Sequence, residues 1–198
     1  CITNTLSSQL HTQNHKGPVL ALAFLPDVNE KFATISEDNT VRYWDVTDYG
    51  VKAKAEFKTT AKPLCLCFIS DVILTGWSDG SIRSVDSETG EVLWNIAKAH
   101  RSAITCIKSG NNKKFFVSGD QDGEVRVWEV KTKELVHQFK EHKGAITDLH
   151  VHKDDTHILS SSRDRSIFLW DLKREKRVSA HFQKMGAINS MAVTNDHL

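Results

Sequence analysis

The sequence predicts an all-β protein built from repeated units, and three observations lead to this prediction. A short pattern recurs at intervals of 41, 43 and 42 residues, which is a period typical of repeat architectures. Between its copies, short runs alternate apolar or β-branched residues with polar ones, and Gly, Asn and Asp fall between the runs. No segment has the sustained 3.6-residue periodicity of a helix. We therefore expect β-strands throughout.

The strands and turns can be followed in order along the best-patterned stretch. FFVSG, EVRVWEV, ELVHQF and AITDLHV each read as a strand, because β-branched and apolar residues alternate within them. Asp79-Gly80 and Asp122-Gly123 read as tight hairpin turns, since Gly readily adopts the left-handed conformation that such turns need. We expect repeat units at approximately these residues: 15–57, 58–97, 98–139, 140–182 and the start of a fifth at 183–198.

Four marks recur in register within these units. A hydroxyl stands four residues before each turn aspartate, and a tryptophan stands six residues after it in three units. A histidine precedes the apolar run that opens the first, third and fourth units. The four sets are His15, Thr34, Asp38 and Trp44; Thr75 and Asp79, followed by Val85; His100, Ser118, Asp122 and Trp128; and His142, Ser160, Asp164 and Trp170.

Together these marks resemble the WD40 family, whose repeats carry a Trp-Asp signature at a period of 40–45 residues. The resemblance implies four-stranded blades that stack radially into a β-propeller. It also implies that His, Ser/Thr, Asp and Trp of one blade form a hydrogen-bonded chain, which we call a tetrad. Four units and the start of a fifth suggest part of a larger, seven-bladed ring. Because the chain starts with Cys1, we expect an excised piece of a longer chain. Because an incomplete ring would expose a sheet edge, we expect these 198 residues alone to aggregate or fold poorly.

The chemistry of the four side chains suits such a tetrad. An indole N–H only donates, a hydroxyl and an imidazole do both, and a carboxylate only accepts. A chain from Trp128 through Ser118 and His100 to Asp122 would satisfy every member in order. The alternative is a hydrolase triad of Ser, His and Asp, which occurs once per enzyme in a cleft. Because the trio recurs in three units, we interpret it as structural and predict no catalytic residue.

The second unit departs from the pattern. It keeps Thr75 and Asp79, but Val85 replaces the tryptophan and no histidine precedes its first strand. We therefore predict that its turn forms, that its tetrad does not, and that this blade is locally the weakest.

Composition excludes several functional classes. With 26 basic and 25 acidic residues, the net charge of +1 gives no reason to expect nucleic acid or membrane binding. The four cysteines have no metal-ligand spacing. No phosphate-cradling glycine pattern is present, and we expect no cofactor and no small-molecule substrate.

One histidine-rich stretch, DLHVHKDDTH, raises the alternative of a zinc or nickel site. It contains His150 and His152, which share a strand face. The repeat alignment instead places His150 where Ala23 and Lys108 stand and places HKDD in a turn. We therefore predict no metal site there. The full set considered is His150, His152, Asp154, Asp155 and His157.

Two basic features are candidate partner contacts. The segment LKREKR is expected to be a solvated connection, with docking to an acidic protein surface as the alternative. Partners of propellers often bind near the start of each first strand and just before each turn aspartate. Among the residues at these positions, Arg163 is the one whose type is enriched in binding hot spots. The candidate partner-binding residues are Arg163, Lys173, Arg174, Lys176 and Arg177.

Several longer strings narrow the resemblance further. KFATIS, ILTGWSDGSIR, AHRSAIT, SGDQDGEVRVW and EHKGAIT occur in an order that resembles the cilia- and flagella-associated WD-repeat proteins. That resemblance implies a non-catalytic scaffold of the axoneme, bound to doublet microtubules, with tubulin and other axonemal proteins as partners. The implied location is the cytoplasmic cytoskeleton of the cilium or flagellum. The alternative is a general intracellular WD40 adaptor for protein interactions.

Overall fold

The computed structural model describes residues 14–26, 28–47 and 50–193, and these contain strands, turns and loops but no helix. The all-β prediction is therefore confirmed. None of the described segments forms an apolar helix of the length needed to cross a membrane.

Within the described residues, sixteen strands form four antiparallel sheets, each of which is one blade. Blade 1 contains β1 (Val19–Phe24), β2 (Lys31–Ser36), β3 (Thr40–Asp45) and β4 (Gly50–Glu56). Blade 2 contains β5 (Pro63–Ile69), β6 (Val72–Trp77), β7 (Ile82–Asp86) and β8 (Val92–Ile96). Blade 3 contains β9 (Ile104–Ser109), β10 (Phe115–Asp120), β11 (Val125–Glu129) and β12 (Leu135–Phe139). Blade 4 contains β13 (Ile146–Val151), β14 (His157–Ser162), β15 (Ser166–Asp171) and β16 (Lys176–Phe182).

Each blade is a simple up-and-down meander, in which sequence order equals spatial order. The turn between its second and third strands always contains a residue with positive φ, and Gly80 and Gly123 adopt this conformation without strain. We call the end of the blade that carries this turn the top end. The loop between the first and second strands lies at the opposite, bottom end.

The apolar core lies between blades. One cluster joins blades 1 and 2, a second joins blades 2 and 3, and a third joins blades 3 and 4. The first strands β1, β5, β9 and β13 contact one another in that order. Gly119, in β10, allows β13 to approach blade 3 closely, since a Cβ there would lie 2.6 Å from Ile146 Cγ2. The first strand of blade 1 is less covered, because Val19, Leu22 and Phe24 of β1 are each more than half exposed.

Candidate functional site

In blade 4 the histidine, hydroxyl, aspartate and tryptophan form a hydrogen-bonded chain. The Trp170 indole N–H donates to Ser160 Oγ at 2.8 Å, and Ser160 Oγ lies 2.7 Å from His142 Nε2. His142 Nδ1 lies 3.0 Å from Asp164 Oδ2. All four groups are satisfied if Ser160 donates to Nε2 and the imidazole carries its proton on Nδ1. The chain ties the β14–β15 turn to the residues that lead into β13.

Blade 1 repeats this arrangement with threonine as its hydroxyl. The Trp44 indole N–H donates to Thr34 Oγ1 at 2.7 Å, and His15 Nε2 lies 2.7 Å from the same oxygen. His15 Nδ1 lies 3.1 Å from Asp38 Oδ2, which also accepts the Lys16 N–H. The sequence pattern and the spatial grouping therefore coincide in blades 1 and 4.

In blade 3 the predicted aspartate is wrong. Trp128 donates to Ser118 Oγ at 2.9 Å, and Ser118 Oγ lies 2.7 Å from His100 Nε2. However, the carboxylate beside His100 Nδ1, at 3.1 Å, belongs to Asp120 rather than Asp122. Asp120 is fully buried, whereas Asp122 is exposed.

The reason is that one carboxylate in blade 3 accepts the two backbone N–H groups that two different side chains accept in blade 4. In blade 4, Ser162 Oγ accepts the Asp164 N–H, and Asp164 Oδ1 accepts the Ser166 N–H. In blade 3, Asp120 Oδ1 accepts both equivalent N–H groups, from Asp122 at 3.0 Å and from Glu124 at 2.8 Å. The turn aspartate of blade 3, Asp122, is therefore not needed as an acceptor for these N–H groups and is exposed to solvent.

A second replacement accompanies the first. The position two residues after the turn aspartate carries a hydroxyl in the other blades but Glu124 in blade 3. The Glu124 carboxylate is buried and pairs with Arg126 at 2.9 Å and with Lys140 at 3.2 Å. Both changes lie outside the turn aspartate itself, so aligning the turn aspartates alone could not reveal them.

Blade 2 has no tetrad and instead holds two other polar groups around its turn. The indole N–H of Trp77, in β6, donates to Thr75 Oγ1 at 2.8 Å. Asp79 Oδ1 accepts from the Ser81 hydroxyl at 2.6 Å, and Asp79 Oδ2 accepts from Arg83 Nη2 at 2.9 Å. The Arg83 guanidinium also lies over the Trp77 ring, 3.9 Å from its centroid.

Sequence reasoning missed these residues for a common reason. Trp77 and Asp120 occupy the repeat position that holds Ser36 in blade 1 and Ser162 in blade 4. The sequence did show that tryptophan or aspartate stands at this position where the other two units have serine. The role of that residue could not be predicted from it alone, because its contacts depend on side chains four to six residues further along the chain.

Burial and hydrogen bonding shift the ionisation of these groups in opposite senses. Burial lowers the pKa of His142 below its usual 6.5, more than the nearby Asp164 carboxylate raises it. Burial acts to raise the pKa of Asp164, but hydrogen bonds from Ser166, Lys143 and His142 outweigh it and lower the pKa to about 2. The pKa of His15 is lowered for the same reason as that of His142.

These shifts predict two losses of stability on acidification. A histidine pKa lowered by folding means that the unfolded chain binds more protons, so stability should fall as the pH drops below 6.5. The lowered pKa of Asp164 contributes stability that should be lost between 3.8 and about 2. Urea unfolding at a series of pH values measures both, and His142→Gln should flatten the first. Stability that rises on acidification through this range would contradict the assignment.

The candidate partner-binding residues lie at two opposite ends of blade 4. Arg163 is in the β14–β15 turn at the top end, whereas the basic segment lies in and after the β15–β16 loop at the bottom end. Arg177 is committed to contacts within the chain, with Glu141 at 2.9 Å and the Phe168 ring at 4.5 Å. Arg174 lies 3.5 Å from Asp171, whereas Lys173 and Lys176 are exposed.

The top end of blades 3 and 4 contains a depression of about 400 Å³, and Arg163 lies on its wall. Its other walls are mostly small or uncharged polar side chains. The lining residues are Thr105, Gln121, Ala145, Ile146, Thr147, Arg163 and Asn189.

Two groups among the described residues bring three possible metal ligands within 4.8 Å of one another. The first is His100, Asp120 and Glu124, whose glutamate already pairs with Arg126 and Lys140. The second is His152, Asp154 and His157, at the bottom end of blade 4. This second group contains three of the five candidate ligands of the histidine-rich stretch, and His150 and Asp155 lie outside it.

Comparison with known proteins supports the repeat assignment. The family model described as WD domain, G-beta repeat matches residues 7–45, 91–129 and 133–171. The matches leave out most of the second unit, where Val85 replaces the tryptophan. The chain also resembles the crystal structure of the computationally designed Ika8 protein, with a TM-score of 0.80 and 24% identity. That likeness, which covers 92% of this chain and 54% of Ika8, shows the fold.

Curated relatives match over part of the chain. Cilia- and flagella-associated protein 52 of Mus musculus is 33% identical over 120 residues, which is 57% of this chain. F-box/WD repeat-containing protein 9 of Bos taurus is 27% identical over 139 residues, which is 70% of this chain. The matched regions cover 18% and 29% of those two proteins, so the chain corresponds to a minor part of each.

Proposed function

Because the chain belongs to the WD40 family of WD domain, G-beta repeat proteins, we propose that it is a non-catalytic scaffold of the cilium or flagellum. In this proposal it binds doublet microtubules of the axoneme, with tubulin and other axonemal proteins as its partners. The single observation that carries it is the identity of 33% to cilia- and flagella-associated protein 52 of Mus musculus.

The geometry of the tetrads supports the absence of catalysis. The hydroxyls of Ser118 and Ser160 are fully buried and each accepts an indole N–H, so no substrate can reach them. A catalytic serine must instead stand exposed beside an oxyanion site. The same histidine, hydroxyl and tryptophan contacts occur in blades 1, 3 and 4, as expected of a structural network that fixes the turn of each blade. Protein interaction is then left to the blade surfaces.

We infer that the bottom end of blade 4 faces an acidic partner such as tubulin. Lys173 and Lys176 are exposed there, and no described carboxylate pairs with either within 4.0 Å. Charges of this kind steer association and fix orientation more than they add affinity. The contact should therefore weaken as salt rises.

The location is tested by following the full chain in isolated cilia that are stripped with detergent and then with high salt. Retention with the salt-resistant doublets is the expected result. Release with the soluble matrix, or absence from cilia, would refute the axonemal proposal and leave the fold assignment intact.

The contact surface is tested by the double substitution Lys173→Glu and Lys176→Glu. We expect the variant to leave the doublets at lower salt than the unmodified chain, because the attraction to an acidic surface becomes repulsion. The matched control is Lys16→Glu with Lys58→Glu, which makes the same charge change at exposed top-end positions. Equal release of both variants would contradict the assignment to the bottom end.

A second candidate function is a general WD40 adaptor, and the depression around Arg163 favours it. That depression offers one cation among uncharged polar groups, which suits a short acidic segment of a partner protein. Arg163→Glu should abolish such binding without changing stability, since Arg163 is exposed. Cross-linking of the unmodified chain and of Arg163→Glu in cell extract distinguishes this function. If the chain is an adaptor that binds through Arg163, the variant should lose its cross-linked partners.

A further inference from the structure

The loop between β13 and β14 carries two histidines and an aspartate whose side chains face one another. His152 directly follows β13, and His157 is the first residue of β14. Asp154 Oδ2 lies 3.1 Å from His152 Nδ1 and 2.7 Å from His157 Nδ1. The three side chains are 25%, 37% and 33% exposed, so the group opens to solvent while its base is covered.

The loop is held in this shape by contacts that do not use the facing atoms. The His152 N–H donates to the His157 carbonyl at 2.9 Å, which closes the loop. Asp154 Oδ1 accepts the N–H groups of Thr156 and His157, at 2.8 and 3.0 Å. Asp154 Oδ2 and the two Nδ1 atoms face the centre of the group, where His152 Nδ1 also accepts the Asp154 N–H at 3.4 Å and His157 Nδ1 lies 3.1 Å from Thr156 Oγ1.

A clamp from blade 3 adds to this rigidity. The Asp155 carboxylate accepts the Asn111 N–H at 2.7 Å and the Asn112 N–H at 2.8 Å. Asp155, with φ of 54°, is therefore a fixed corner of the loop rather than part of the facing group. A preorganised loop loses little further entropy when a ligand joins its side chains.

The donor atoms have the types that a small divalent ion requires and lie within 4.8 Å of one another. Zinc binds His nitrogen and Asp oxygen at about 2.0–2.2 Å in a tetrahedral arrangement, which places neighbouring ligand atoms about 3.3–3.6 Å apart. The separations of 3.1 and 2.7 Å are shorter, so the side chains would open by less than about 1 Å to admit the ion. Imidazole with carboxylate suits zinc, nickel and copper rather than calcium or magnesium. Two His and one Asp leave room for water as a further ligand.

A carboxylate lies near one of the two rings. His157 Nε2 is 4.0 Å from Asp171 Oδ2, so a small rotation of the ring would bring its Nε2–H within hydrogen-bond distance of that carboxylate. Carboxylate–histidine pairs of this kind orient a metal-bound ring and raise its basicity. Burial acts to raise the pKa of Asp154, but its hydrogen bonds, from Thr156 and the two histidines, outweigh this and hold the pKa well below its usual range.

We propose that His152, Asp154 and His157 form a three-ligand site for a divalent transition-metal ion, with zinc as the physiological class. Each imidazole binds through Nδ1, so a bound neutral ring carries its proton on Nε2. The ion replaces the hydrogen bond between His157 Nδ1 and Asp154 and the close approach of His152 Nδ1 to Asp154, and it joins the end of β13 to the start of β14. The site does not depend on the proposed ciliary role.

Calorimetric titration of the metal-free full chain with zinc tests the site. We expect one bound ion and a rise in thermal midpoint with zinc, because an ion that binds only the folded state stabilises it. His152→Gln and His157→Gln should each weaken binding by at least about tenfold. The matched control is His150→Gln, which removes a histidine two residues away that is outside the group and should leave binding unchanged.

Nitrogen NMR of the histidine rings provides a readout that does not depend on the variants. Zinc should move the Nδ1 and Nε2 signals of two histidines toward those of rings with the metal on Nδ1 and the proton on Nε2. Zinc binding that survives both glutamine substitutions, or unchanged ring nitrogens at saturating zinc, would overturn the proposal. So would the absence of binding to a folded chain.

Discussion

Replacing Asp120 with alanine is expected to lower the free energy of unfolding by about 2–5 kcal/mol, because each buried donor that loses its acceptor costs about 1–3 kcal/mol. Asp120 is fully buried, lies 3.1 Å from His100 Nδ1 and accepts two backbone N–H groups of the turn. Its loss would leave both N–H groups without their acceptor. The effect is measured by urea unfolding of the full chain.

The matched control is Asp122→Ala, the change that the repeat pattern would single out. Asp122 is exposed, so its replacement should alter stability by less than about 0.5 kcal/mol. Hydrogen exchange gives a local readout, because the amides of Asp122 and Glu124 should lose protection in Asp120→Ala. Equal effects of the two substitutions, or a larger effect at Asp122, would show that the turn aspartate serves blade 3 after all.

Replacing Trp77 with alanine is the second change with a large expected effect, a loss of about 3–5 kcal/mol. Trp77 is fully buried, packs against Phe57 with ring centroids 4.7 Å apart, and lies beneath the Arg83 guanidinium. Alanine would leave a cavity and remove the donor to Thr75. Thermal or urea unfolding reports the loss.

Two companion substitutions separate packing from hydrogen bonding in blade 2. Trp77→Phe keeps most of the ring but removes the indole N–H, so it should cost far less than alanine, with about 1 kcal/mol of the loss due to the hydrogen bond. Val85→Trp restores the residue of the repeat pattern, yet Val85 is 1% exposed and the larger side chain should destabilise by about 1–3 kcal/mol. A stabilising Val85→Trp would refute the assignment of the tryptophan role to Trp77.

The blades with an undisturbed pattern were predictable in detail. Ser160, Asp164 and Trp170 recur at the spacing of their counterparts in blade 1, His142 lies one residue nearer to them, and the four side chains have complementary donors and acceptors. The order of donors and acceptors then follows from their chemistry. The strands around them are short and alternate strictly, so their type was readable from local composition.

The irregular blades and the loop cluster were not predictable, because they depend on several substitutions at once. In blade 3, Asp120 takes the place of the turn aspartate while Glu124 takes the place of the hydroxyl and pairs with Arg126. The histidine-rich stretch offered five candidate ligands, and the structure groups three of them. Its selection depends on the clamp from Asn111 on the neighbouring blade, which no pattern within one unit contains.

The sequence by itself determined the all-β class, the repeat period and the places of the turns. These depend on side-chain alternation and backbone preferences within a few residues, which act in the same way in every unit. Only the tertiary structure decided which carboxylate faces His100, how blade 2 manages without a histidine, and which side chains of the β13–β14 loop meet. Those outcomes depend on distances between groups from different strands and blades, where burial makes one pairing far more stable than its alternatives.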